Sequence, residues 1–177
     1  MNRITALGPF RVALLVLGAC LLLIGFNHAV STKTQTLEHG SIVKLKLAPR
    51  DPRGLLTGDY MTLNYDIANQ LRTLGDKHAQ DGYVLVKLNA QGVGEYVSQS
   101  STYPAVSTRQ LALQFRQRER EVKFATNAYY FQEGQAKTFE AARYGEFRVS
   151  PKGELLLTHL LDEKLQRLVP QGAALPR

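Results

Sequence analysis

From Val12 to Phe26 the chain reads VALLVLGACLLLIGF, fifteen consecutive residues without a charge or a strongly hydrogen-bonding side chain. A bilayer accepts such a run only as a helix here, because a helix closes its backbone hydrogen bonds within itself. Fifteen residues fall short of the roughly 20 that a helix needs to cross about 30 Å of hydrocarbon. Extension through Asn27, His28, Ala29 and Val30, or back through Arg11 to Phe10 and Leu7, supplies the missing length. Arg11 can snorkel to the headgroups. Residues 12–30 are therefore expected to form a transmembrane anchor behind a cytoplasmic stretch at 1–11.

Orientation follows from charge. Arg3, Arg11 and the terminal amine flank one side of the run and only Lys33 stands close on the other. The positive-inside rule then places the N-terminus in the cytoplasm, with the remainder periplasmic or extracellular on a single pass of the inner (cytoplasmic) membrane. Two processing routes compete with an uncleaved anchor. Signal cleavage asks for small residues at the −3 and −1 positions, which Asn27-His28-Ala29 supplies badly. Leu17-Gly18-Ala19-Cys20 has the order of a lipobox, with Cys20 as the acylated residue, but LLLIGF follows where a mature lipoprotein turns polar.

The rest of the 177 residues suffice for one domain with its own core. An apolar content of 44% against 21% charged residues places the bulk among globular rather than disordered chains. Cys20 is the only cysteine, so no disulfide forms within the chain and the domain must hold by packing. The net charge is +7, and removing Arg3 and Arg11 leaves +5, spread thinly. Arg116/Arg118 and Lys44/Lys46 are spaced two apart, which on a strand puts each pair on one face. Neither a dense basic run nor an RNP-like aromatic signature is present, so nucleic acid is not an expected partner. Weak attraction to anionic lipid headgroups or cell-wall polymers is one account of the surplus, and a surface that is simply basic is the preferred one.

Residues 31–40 are polar and aperiodic and read as a tether. Ser41 to Ala48 alternates, with Lys44 and Lys46 opposed to Val43, Leu45 and Leu47, as a half-buried strand does. Tyr60 to Ile67 alternates again, and a short helix is expected around Ile67, Leu71 and Leu74, ended by Gly75. Further strands are predicted at Tyr83 to Leu88, Gly94 to Ser98, Leu111 to Arg118, Val122 to Phe124 and Ala128 to Gln132. A second helix is expected over Gln135 to Arg143, on the spacing of Ala136, Phe139, Ala142 and Arg143. Glu146 to Val149 and Glu154 to Leu160 flank Ser150-Pro151-Lys152-Gly153, a hairpin turn sequence, and Asp162 to Arg167 reads as a helical turn. The expected fold is mainly β (α+β): one transmembrane helix, then a small antiparallel β domain over 41–162 with one or two short helices, and a C-terminal tail at 163–177.

The richest segment is Pro49-Arg50-Asp51-Pro52-Arg53-Gly54-Leu55-Leu56-Thr57-Gly58-Asp59-Tyr60. Prolines stiffen it and glycines permit turns, so a shaped loop between two strands is expected. Arg50, Asp51, Arg53 and Asp59 can pair among themselves. An arginine fork also suits a carboxylate or phosphate, which makes Arg50 and Arg53, with Arg143, a candidate anion site. Asp59 is expected to cap its turn by accepting backbone N–H bonds, with ligand or partner contact at Asp51, Asp59 or Tyr60 as the competing role.

Gly58-Asp59-Tyr60-Met61-Thr62-Leu63-Asn64-Tyr65 fits G-D-Y-x-x-L-x-Y, and with this pattern the chain resembles the GDYXXLXY protein family. The PRDPRGLLTG stretch before it, Tyr130-Phe131-Gln132-Glu133-Gly134, and Ala141-Ala142-Arg143-Tyr144-Gly145-Glu146 are similar to that family too, over about Ile42 to Leu160. The resemblance implies one N-terminal span and, for many members, a gene beside that of a multi-span membrane protein. It brings no established activity. Glu133 before Gly134 is expected near a hairpin or the start of a helix.

Catalytic and metal signatures are wanting. The histidines His28, His39, His78 and His159 are too dispersed for a zinc site, so neither a metal nor a cofactor is expected. Ser41-Ile42-Val43-Lys44 matches S-x-x-K, but that dyad requires a helix and these residues alternate like a strand. The serine-methionine nucleophile motif of signal-peptidase-like domains is missing, and Gly92-Val93-Gly94 lacks the third glycine of a dinucleotide loop. The expected function is an accessory or interaction protein on a multi-span membrane partner, with Tyr96, Tyr103, Tyr129 and Tyr130 as interface candidates. A binding module for an anionic envelope ligand is the alternative, and an envelope hydrolase the least supported.

Overall fold

The computed structural model describes residues 9–48, 60–74, 81–118 and 121–170, in two compact units, Met1–Glu38 and His39–Arg177. Within the first, α1 (Pro9–His39) begins on a proline, whose fixed φ suits the first helical position. Its stretch Ala13–His39 is long and apolar enough to cross a membrane. Leu14, Leu15, Leu22 and Ile24 all stand exposed along it.

The helix does not stop where the apolar run does. The residues expected to form an irregular tether are helical through His39. Neither glycine nor proline interrupts 26–39. The hydroxyls of Thr32, Thr34 and Thr36 donate to the carbonyls of His28, Val30 and Thr32 at 3.0, 3.2 and 3.0 Å, so these polar side chains are satisfied without leaving the helix. Gly40 then follows.

The second unit comprises β1 (Ser41–Lys46), β2 (Tyr60–Thr62), α2 (Asp66–Leu74), β3 (Asp81–Leu88), β4 (Gly94–Ser100), β5 (Gln110–Arg118), β6 (Glu121–Lys123), β7 (Ala128–Tyr130), α3 (Ala136–Phe139), β8 (Tyr144–Val149) and β9 (Leu155–Leu161). The strands form a three-stranded sheet in the order β1-β8-β9, a four-stranded sheet β4-β3-β5-β6 and the ribbon β2-β7, with every strand pair antiparallel. A mainly β domain behind one apolar helix is the expected class.

Alternation in sequence becomes alternation in burial. Val43 and Leu45 of β1 and Val84 and Val86 of β3 are fully buried, and they join Leu63, Tyr65, Leu113, Phe115, Phe139, Phe147 and Leu160 in one core. The hairpin turn before β9 forms as expected. The Ser150 hydroxyl accepts from the Lys152 and Glu154 amides, and Gly153 takes φ +83°. A Cβ on Gly153 would lie 2.8 Å from the Ala112 carbonyl, while Gln114 N–H donates to the Gly153 carbonyl at 2.8 Å. The turn thus stitches one sheet to the other, which only glycine permits at that φ and spacing.

Three local expectations are corrected. The strand from Tyr60 ends at Thr62 rather than Ile67; Leu63 and Tyr65 stay buried, but Asp66 opens α2, whose Ile67 and Leu71 face the core while Leu74 is 67% exposed. Period two gives way to helical spacing at Asp66, whose carboxylate accepts from Gln70 Nε2 at 3.0 Å. The helix expected over Gln135 to Arg143 is the short α3 instead. Arg143 N–H donates to the Leu161 carbonyl and draws the chain into β8 two residues early. Asp162 to Arg167 is not a helical turn. Asp162 Oδ1 accepts from the amides of Lys164 and Gln166 at 2.8 Å each, Leu165 takes φ +61°, and Leu168 N–H donates to the Leu160 carbonyl. The start of the expected tail therefore folds back beside β9.

Candidate functional site

The family-like pattern builds the β2-β7 ribbon. In register, Tyr60 faces Tyr130, Met61 faces Tyr129 and Thr62 faces Ala128, so two segments about seventy residues apart in sequence lie side by side. The strand period divides them into two sides. Met61 is buried, and Tyr129 packs edge-on against Phe139 at 5.0 Å, with Phe131 stacked on the same ring at 5.3 Å. On the other side Tyr60 and Tyr130 lie with ring centroids 5.6 Å apart, 37% and 75% exposed. Burial pushes the Tyr129 hydroxyl pKa up.

Leu63 and Tyr65 finish the pattern in the core. Leu63 N–H donates to the Asn127 carbonyl at 2.6 Å. The Tyr65 hydroxyl donates to the Thr126 carbonyl at 2.8 Å, with Phe124 and Phe147 edge-on to its ring at 5.8 and 5.6 Å. Burial raises the Tyr65 pKa, because the phenolate has no water here. Asn127 Oδ1, close by in sequence, is buried without a hydrogen-bond partner among the described residues.

Other predicted site residues scatter. Arg50, Asp51, Arg53, Gly58 and Asp59 lie outside the described residues. Arg143 donates to the carbonyls of Glu140 and Ala142 at 3.1 and 2.9 Å, which ends α3 and commits part of its fork. Glu133 is exposed ahead of Gly134 at φ +83°, and α3 takes no side-chain cap from Gln135. Tyr144 sits on β8 opposite Lys46. Of the interface candidates, Tyr96 is half-buried and Tyr103 packs edge-on against Tyr83 at 5.3 Å. Ser41 and Lys44 of the S-x-x-K match fall on opposite faces of β1.

Sequence reasoning missed the most buried charge among the described residues of the domain. Glu146 Oε1 accepts from Arg167 at 2.9 Å and lies 3.2 Å from His159 Nδ1, with its side chain 10% exposed. A bulge makes this possible: Glu146 pairs with His159 and Phe147 with Leu157, leaving Thr158 as the extra residue. The Thr158 hydroxyl donates to the Glu146 carbonyl at 3.1 Å. Glu146, His159 and Arg167 are 13 and 21 positions apart, and no local pattern marks them as neighbours. An exposed pair of simpler kind joins Arg118 to Asp81 at 2.8 Å, and that guanidinium lowers the Asp81 pKa. Among the described residues no three His, Cys, Asp or Glu converge as metal ligands would.

Taken with α1, this defines a class: a mainly β domain behind one apolar helix, whose signature pattern is spent on an aromatic ribbon and a core. The GDYXXLXY protein family model matches residues 22–160, and the chain belongs to that family. Comparison with curated proteins gave no match, and comparison with solved structures gave none.

Proposed function

We propose that the protein is a single-pass membrane-anchored accessory protein, with its N-terminus in the cytoplasm and its β domain docking outside the cytoplasm on a multi-span membrane partner. The observation that carries this reading is the Tyr60-Tyr130 pair. The strands bearing the family pattern put one side into the core and leave two adjoining tyrosine rings in solvent on the other. Tyrosine is enriched at protein interfaces because a rigid ring contributes large contact area at low entropy cost. Charge asymmetry about α1 supports the orientation.

Replacing Tyr60 and Tyr130 together by alanine in the full chain, followed by gentle detergent extraction and pull-down, tests the reading. One dominant integral-membrane partner should be recovered with the native chain and lost with the double variant, at an unchanged melting temperature. Equal recovery with both chains would count against it, as would a C-terminal reporter that is active inside the cell.

A further inference from the structure

The three-stranded sheet adds a distant arginine, Arg148, to the lysine pair of β1. Val43 and Leu45 turn into the core, so Ile42, Lys44 and Lys46 share the outer face of β1. Register brings Arg148 opposite Ile42 and Glu146 opposite Lys44 on that same face. Glu146, the carboxylate that register places there, is already paired with Arg167. Lys44 Nζ donates to the Gln91 carbonyl and Arg148 to the Gly40 carbonyl, both at 3.0 Å, so neither is charge-neutralised by those contacts. Ile42, 41% exposed, adds an apolar side chain among the three cations.

We propose that this face docks on anionic phospholipid headgroups of the membrane in which α1 is anchored. The proposal rests on the anchor reading above. The occupant is chosen by charge complementarity and by chain continuity. Residues 31–39 of α1 add nine residues beyond the apolar stretch, or about 14 Å at roughly 1.5 Å per residue. Headgroups take about 5–7 Å of that. With one residue between α1 and β1, the cationic strand begins within about one Debye length, roughly 8 Å, of the headgroup plane. A basic side chain near an anionic leaflet favours the docked state by roughly fivefold, so three together favour it by about a hundredfold.

The test uses the full chain in nanodiscs of phosphatidylcholine alone or mixed with phosphatidylglycerol, with Cys20→Ser and an environment-sensitive fluorophore on Ile42→Cys. Emission should shift to the blue only in the anionic discs, and high salt should reverse the shift without any change of sequence. Lys44→Glu with Lys46→Glu should abolish it while near-ultraviolet circular dichroism stays native. Identical emission in both compositions, with the chain incorporated in both, would overturn the docking and leave the face to an acidic protein. A shift that persists in neutral lipid and high salt would overturn it too. Failure to enter discs of either composition would instead remove the anchor, and the docking with it.

Discussion

Tyr65 and Glu146 both carry a polar group out of water, and they satisfy it by opposite means. Tyr65 lies among aromatic rings with one neutral hydrogen bond, to the Thr126 carbonyl. Glu146 lies on the central strand of the three-stranded sheet, where Arg167 and His159 approach one oxygen. The first is stabilised mainly by burial of its ring, with a smaller share from the hydrogen bond of its hydroxyl. The second is tolerated only because its donors are supplied, since a buried charge without partners costs several kcal/mol. The family pattern reads the first residue and ends on it; the second belongs to a register that no short pattern encodes.

The largest effect should come from Tyr65→Ala. It removes a ring at 1% exposure and opens a cavity against Phe124 and Phe147, for about 3–5 kcal/mol in denaturant unfolding. A loss under about 1 kcal/mol would mean that the core collapses around the site. Glu146→Ala should rank second at about 1–3 kcal/mol, below the cost for a fully buried pair, because Arg167 is half-exposed and can rehydrate. The adjoining Asp162 to Leu168 return should lose protection in hydrogen exchange at the same time.

Tyr65→Phe sharpens the contrast. It keeps the ring and orphans the Thr126 carbonyl, for about 1–2 kcal/mol. Folding raises the Tyr65 pKa above its ordinary 10.0, so the stability linked to the neutral hydroxyl is complete below that pH and is lost as pH rises above it. The native chain should therefore show a steeper alkaline decline than the phenylalanine variant, which keeps only the part linked to Tyr129, and parallel curves would assign the whole decline to other groups. Arg118→Ala should have the smallest effect, too small for chemical denaturation to resolve, because its partnership with Asp81 is exposed. The Asp81 pKa should rise back toward the ordinary carboxylate range when followed by NMR titration, because the group that lowers it has been removed.

Much of the β domain is legible from alternation. Val43 and Leu45, and Val84 and Val86, repeat every second residue, and a strand with one wet face must bury that set. Gly153 after Pro151 marks its turn for an equally local reason. The misreadings fall where two local signals overlap. Tyr65 continues the strand pattern of Tyr60 to Leu63, yet Asp66 one residue later starts a helix on the same apolar run. At Asp162 a polar segment of moderate helix propensity becomes a turn because Asp162 Oδ1 captures two amides and Leu168 pairs beside β9.

The linear order of residues by itself determined the apolar helix, the antiparallel β class, the S-x-x-K mismatch and the family, because each depends on spacing of a few residues or on an uninterrupted run. Only the tertiary structure decided that Tyr60 meets Tyr130, that Glu146 meets Arg167 and His159, and that Arg148 joins Lys44 and Lys46 on one face. Those neighbours are set by strand register and by the bulge at Thr158. Register follows from how all the buried faces fit together at once, which local spacing does not contain.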